Sequence, residues 1–587
     1  MATRTQSRIL RFAVFEVDLE AGELRKSGVR LKLVGQPFQV LQLLLEHPQE
    51  VVTREELRHC LWPDDRFVDY DLALKRIINR LREVLSDSAE SPRFVETIPR
   101  RGYRFIAPVN DGSVVHAYAA PAVSVTCDSI AVLPFINMSP DPENEFFADG
   151  ITEEIINVLS QIEHLHVAAR TSSFFFKGKQ ADMRQLGEQL NVRTVLEGSV
   201  RKLGDRLRIT AQLVNVADGY HLWSERYDRE LKDVFAIQDE IARSIADRLK
   251  LTLEGDRAEQ LVKAGTKNLE AYQFYLKGRA LLYRRGGAIP QAAECFDRAV
   301  KLDPDYALAW AGLADTYTTL GYYGLARPEA CMPKGMEAAR RAVALGPSLA
   351  EAHTAFAISS LMGTWDRPVA EREFLRALEL NPRYVQARDW YALFYLQFSE
   401  GRLAEGVAQA RLALESDPLS SYTHTIFSLT SGNAGNHAEA IQASRRAVEL
   451  DCESYLARGT LFLVLHLGGL FEESVAVAEA ALAMSGRHSW SMAVLAVALA
   501  DWGRPADADA IYAEMAARGR RQYVPPALLA VAASAAEREK EAIRHAREAL
   551  EIRDPACQLY FSRHFVYSAR LYAYSRFRQL ISELGFE

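Results

Sequence analysis

From residue 267 to the C-terminus one short phrase keeps returning. "AAECFDRAVKLDP" closes at Pro304, "AARRAVALGP" at Pro347, "REFLRALELNP" at Pro382 and "AQARLALESDP" at Pro418. The first interval is 43 residues and the next two are 35 and 36. "ASRRAVELDC", "AEAALAMSG" and "AREALEIRDP" carry the pattern on to Pro555. Each phrase has the apolar rhythm of a helix, with Ala where a neighbouring helix must approach closely. The Asp-Pro, Asn-Pro and Gly-Pro steps stop the helix before the next unit. A unit of this size cannot bury its apolar face alone, so such units must stack. Roughly the C-terminal half is therefore committed to an all-α solenoid of about eight helix pairs, 267–587.

A period near 34 built from helix pairs is similar to the tetratricopeptide repeat, and "YALAWAGLADTYTTLG" (306–321) resembles its first helix through Trp310, Leu313, Tyr317 and Gly321. The resemblance implies a surface for protein or peptide partners. The repeat aromatics Trp310, Trp390, Tyr391, Tyr395 and Trp490 are expected mainly in helix-to-helix packing.

The other half changes texture twice. Residues 8–33 alternate apolar and polar, as short strands do. Helical patterns follow at 36–48, 53–62 and 70–87, and Thr53 with Glu56 forms a capping-box pair for the second. Residues 109–127 hold Gly, Ser, Ala and Pro with little periodicity and read as a linker. Residues 128–255 mix strand-like runs ("SIAVLPF", "LRITAQLVNV") with helical ones ("TEEIINVLSQI"), an α/β domain with a hairpin around Gly204–Asp205.

The chain is acidic, net −7, yet residues 1–108 hold 18 Lys and Arg against 16 Asp and Glu. The placement matters more than the total. On the third helix, Leu74, Ile77, Ile78, Leu81 and Leu85 share one face. Lys75, Arg76, Asn79 and Arg80 cross the opposite arc, with Arg82 at the border. Arg and Asn suit base edges in a major groove, and Lys suits phosphates. A charged helix face is ordinarily only solvated; "RFVETIPRRGYRF" (93–105) sets this one apart. It reads as a hairpin in which Pro99 and Gly102 shape the bend. Arg100, Arg101 and Arg104 project near its tip, toward phosphates or a narrow minor groove.

"EVVTREELRHCLW", "FVDYDLALKRIINRLREVL" and "PRFVETIPRRGYRF" closely resemble the OmpR/PhoB-type DNA-binding domain over 8–108. That resemblance implies a winged helix-turn-helix (α+β) with 70–85 as recognition helix and 95–105 as wing. It implies bacterial promoter DNA as partner, tandem half-sites for a dimer, and contact of Asp64, Asp65, Arg66 and Phe67 with RNA polymerase or a neighbouring subunit. The module begins near residue 8, leaving no room before it for the phosphoacceptor receiver of two-component regulators. It stands first, as in ToxR- and CadC-like proteins, but without their membrane span. "IAVLPFINMSPDPENEFFADGITEEI" and the 193–242 stretch resemble the TolB amino-terminal-like domain over about 128–250.

Chemistry is not expected. Asp141, Glu143, Glu145 and Asp149 invite a calcium loop, but Phe146 stands where that loop needs Gly. His164 and His166 lack a third ligand. No phosphate-cradling or nucleophile-elbow motif occurs. The six cysteines form no CxxC pair, and no stretch of about 18 apolar residues occurs. The sequence thus predicts a cytoplasmic one-component transcription regulator without enzyme activity, metal or cofactor. The rival is a repeat-built adaptor whose winged helix binds protein.

Overall fold

A computed structural model describes residues 9–586 apart from 62–69, 112–128, 250–264 and shorter breaks. These breaks fall at 13–14, 19–21, 27–28, 32, 34, 48–50, 86, 88–91, 93, 99–100, 108–109, 142–143, 161, 163–164, 180–181 and 285. The chain divides into two compact units, 1–124 and 125–587.

In the first unit, β1 (Ile9–Phe12), β2 (Phe15–Asp18), β3 (Glu23–Lys26) and β4 (Val29–Leu31) make an antiparallel meander. Three helices follow: α1 (Gln36–Glu46), then β5 (Val51–Thr53), α2 (Arg54–Leu61) and α3 (Tyr70–Leu85). A hairpin, β6 (Val95–Ile98) and β7 (Gly102–Phe105), joins β5 in a second sheet of order β5-β7-β6. The core holds the apolar face of α3 and a knot of rings: Phe12 lies 4.8 Å from Phe105, and Phe15 lies 5.6 Å from Phe94. Edge-on ring pairs of this kind add to the area they bury. β8 (Asn110–Asp111) then pairs with β1, so the expected linker at 109–127 starts as a strand.

The second unit opens with β9 (Ser129–Val132), β10 (Ile136–Asn137), α4 (Glu145–Leu159), β11 (His166–Val167), α5 (Arg170–Phe174) and α6 (Met183–Leu190). It continues through β12 (Thr194–Leu203), β13 (Arg206–Asn215), β14 (His221–Glu230) and α7 (Val234–Arg248). The sheet runs β11-β9-β12-β13-β14, with β10 beside β12. The β12–β13 hairpin turns at Gly204, whose φ of 57° favours glycine, as the Gly-Asp pair predicts.

Eight helix pairs follow among the described residues, beginning with α8 (Leu269–Arg284) and α9 (Ile289–Leu302), then α10 (Ala307–Tyr322) and α11 (Pro328–Leu345). The eighth pair is Pro526–Ala535 with Glu539–Glu551. Repeat alanines such as Ala299, Ala342, Ala377 and Ala447 are fully buried, letting backbones approach. Ser420 and Ser454 cap the helices that follow them, accepting from the amides of Thr423 and Ala457. Trp390, Tyr391 and Tyr395 are buried in the packing as expected.

The middle α/β domain and the solenoid pack together into one compact unit. The apolar core runs unbroken from the sheet through Tyr272, Tyr275 and Leu276 of α8 to Phe296. A methyl on Gly150 of α4 would lie 2.2 Å from Leu276, so glycine permits the contact. Glu153 on α4 is 4% exposed and meets both Arg170 (2.9 Å) and Arg279 of α8 (2.5 Å). Burial opposes its charge, yet the two guanidinium groups hold its carboxyl below the usual range. Further along, Asp417 accepts from the amide and hydroxyl of Ser172, whose oxygen accepts from the Leu419 amide. Of the acidic cluster, Glu145 and Asp149 lie on α4 and pair with Lys177, while Glu143 lies outside the described residues.

Candidate nucleic-acid interface

The amphipathic pattern of α3 sorts its residues as the wheel predicts, with one exception. Leu74, Ile77, Ile78, Leu81 and Leu85 are buried, while Lys75, Arg76, Asn79 and Arg80 are exposed. Arg82 is only 6% exposed. Its Nη2 donates to the Val95 carbonyl at 2.7 Å and to Thr97 Oγ1 at 2.8 Å. Arg82 is therefore corrected from a DNA contact to an internal tie between α3 and β6. A buried guanidinium must satisfy its donors within the protein, and the strand edge supplies acceptors.

A second tie comes from Asp87, just past α3, whose Oδ2 accepts from the amides of Phe94 (3.1 Å) and Val95 (2.8 Å). The sequence reading missed Asp87 and Thr97; an acid closing a basic helix ahead of a strand was the available signal. Together these contacts fix the hairpin beside the helix.

In the wing, Glu96 stands opposite Arg104, and Arg104 Nη2 reaches Glu96 Oε2 at 2.6 Å. Arg104, expected near the tip of the wing, is partly exposed and held in a cross-strand ion pair. Arg101 is exposed, and its amide donates to the Ile98 carbonyl at 3.1 Å. Arg100 and Asp64, Asp65, Arg66 and Phe67 lie outside the described residues. Gly102 serves close approach, not a left-handed bend: a methyl there would fall 2.0 Å from the Val52 carbonyl oxygen. This lets β7 pair with β5 at Thr53.

The preceding helix is fixed by its start. Thr53 donates from its amide (2.7 Å) and hydroxyl (2.8 Å) to Glu56, whose amide returns a bond to Thr53 Oγ1 at 3.2 Å. The bonds from Thr53 hold the Glu56 carboxyl below its ordinary value. The Arg58 guanidinium of α2 lies 4.4 Å from the ring centre of Tyr70 at the start of α3. Two helices in a fixed relation, with a hairpin tied to the second, leave a polar, cationic helix face toward solvent.

Residues 28–105 match the family model for the C-terminal domain of transcriptional regulatory proteins. Residues 125–244 match that for the second domain of HilA/YgeH-like transcriptional regulators, and 280–321 match a TPR repeat. Domain by domain, the chain is similar to HilA/CadC-like transcriptional regulators. Its head is an OmpR/PhoB-type winged helix-turn-helix, its tail a TPR solenoid. The regulator is 23% identical over 409 residues to transcriptional regulator HilA of Salmonella typhimurium, covering 68% of each chain. It is 46% identical over 187 residues to a protein of Rhizobium meliloti named putative adenylate cyclase 3, covering 32% of each. The regulator thus spans about a third of that relative's length. The solved DNA-binding domain of E. coli CadC is 26% identical, covering 18% of this chain and 99% of its own, with a TM-score of 0.16. No described helix is long and apolar enough to cross a membrane.

Proposed function

We propose that the regulator controls transcription from the cytoplasm by sequence-specific binding of promoter DNA. In this reading α3 enters the major groove with Lys75, Arg76, Asn79 and Arg80, while Arg100 and Arg101 meet the backbone. The observation that carries it is the exposed cationic face of α3 on a helix locked to the wing through Arg82. One module touches few bases, so two on tandem half-sites would supply useful specificity. Residues 64–67 are assigned to RNA polymerase or a neighbouring subunit. The second unit takes the input, a protein or peptide partner on the repeats. The TolB amino-terminal-like resemblance of 128–250 belongs to this reading as a coupling domain without catalysis.

A gel-shift series over salt tests it. Arg80→Ala should bind cognate and scrambled duplexes alike. Arg100→Ala with Arg101→Ala should weaken every duplex and flatten the salt slope by about two. An unchanged slope in the double variant counts against the wing. Absence of duplex binding with protein partners retained would favour an adaptor. Conversion of ATP to cyclic AMP by the purified chain would contradict the non-enzymatic reading.

A further inference from the structure

The middle domain ends its sheet on an open edge. β14 closes one side of the order β11-β9-β12-β13-β14, and its ten residues read HLWSERYDRE. Among the described residues, no main-chain hydrogen bond reaches 221–230 from outside the sheet. Unpaired amides and carbonyls on such an edge template another strand, so edges are usually guarded by Pro, Lys, bulges or brevity. β14 contains no Pro and no Lys. Its one irregularity lies opposite Leu213 and Val214, at its start. Trp223 and Tyr227 are buried on the side that α7 covers, while Glu225, Arg226 and Arg229 are exposed. Asp228 is held by Arg206 at 2.5 Å and Arg208 at 2.7 Å, and Arg229 lies 3.9 Å from Glu240 of α7.

We propose that β14 pairs antiparallel with β14 of a second copy of this chain, centred on Tyr227, making a two-fold dimer through the middle domain. A two-fold axis normal to the sheet keeps α7 of both copies on one side and sets residues of the same face opposite each other. The register must therefore be centred on a residue. Centring on 225, 226, 228 or 229 sets Glu225, Arg226, Asp228 or Arg229 against its own copy, and like charges directly opposite are destabilising. Centring on Ser224 sets Glu225 and Arg226 against Trp223 and Leu222, with no charge matched. Centring on Tyr227 sets Glu225 against Arg229 of the second copy and Arg226 against its Asp228, each pair occurring twice. Main-chain bonds along 224–230 supply the affinity, and the charges select the register and the partner. Asp228 already has two arginines, so the Glu225–Arg229 pairs carry more of that selection. Charges that repel an unrelated strand thus fit a copy of their own. The inference concerns the middle domain and does not rest on the DNA reading.

The test is sedimentation equilibrium of the full chain without DNA, so its failure leaves the DNA reading untouched. The chain should show a concentration-dependent equilibrium of monomer and dimer. Glu225→Arg and, separately, Arg229→Glu should each weaken the dimer about tenfold, since two attractions become two repulsions. Mixing the two single variants should restore association, because the reversed charge of each meets its complement on the other. The double variant Glu225→Arg with Arg229→Glu should pair with itself as the unmodified chain does. Thermal melts check the fold of each variant. Should one fold poorly, Arg226→Glu takes its place, setting like charges across from Asp228. A chain that stays monomeric up to about 100 μM overturns the proposal and leaves the edge to a different partner. A dimer indifferent to both single variants, or no recovery in the mixture and the double variant, overturns it equally.

Discussion

Arg82 of α3 and Val95 of β6 are joined by a 2.7 Å hydrogen bond from guanidinium to backbone carbonyl, inside the protein. The basic helix thus uses one of its own arginines to hold the wing. Arg82→Ala should lower stability by about 2–3 kcal/mol, since it leaves the Val95 carbonyl and Thr97 hydroxyl without this donor. It should also weaken all duplexes to a similar degree, in contrast to Arg80→Ala. Urea melts and gel shifts on the same preparation separate the two effects.

The pair between Glu96 and Arg104 makes an opposite prediction for affinity. Glu96→Gln removes a negative charge from the wing and releases Arg104 toward phosphate. Binding to any duplex should tighten, and the salt slope should steepen by about one. A slope identical to that of the unmodified chain would show that Arg104 never reaches the backbone.

Gly102 faces the Val52 carbonyl at a distance no methyl can share. Gly102→Ala should cost roughly 3 kcal/mol by forcing β5 and β7 apart. Hydrogen exchange should show faster amides at 51–53 and 102–105, with the solenoid unaffected.

Burial and neighbouring Glu153 push the Glu154 carboxyl up to about 8, against the pull of Arg279. A carboxyl raised in the folded state stays protonated after its unfolded counterpart has ionised. Stability of the second unit should therefore fall as pH rises from about 4.5 to about 8, by on the order of 5 kcal/mol, and then level off. Glu154→Gln should flatten that slope in thermal melts taken between pH 5 and 8.

Arg279→Met leaves Glu153 buried with one cationic partner instead of two. A loss of about 3 kcal/mol is expected, because the uncompensated charge remains while the attraction does not. The loss should appear in α4 and α8 together, a joint response that separate domains would not give.

Sequence legibility followed the range of the forces involved. The faces of α3, the Thr53–Glu56 box, the Gly204 hairpin and the repeat phrases all depend on residues within a few positions of one another, and each was readable. Arg82 was misplaced because a helical wheel puts it at a border. Its fate is set by Val95 and Thr97, on a strand whose position the wheel does not contain. Arg104 was read by its position near a turn, whereas the register that sets it opposite Glu96 decides its partner. Fusion of the middle domain with the solenoid rests on Glu153–Arg279 and Ser172–Asp417, pairs more than a hundred residues apart. No local pattern announces them.

The two-residue strand Asn110–Asp111 lies along β1, on the opposite sheet from the wing. Tension arriving along the chain beyond Asp111 is met first by the pairs Leu10–Asp111 and Arg11–Asn110. The winged module therefore carries its own mechanical fuse: a tug must peel that short ribbon before it can strain the helix or the hairpin.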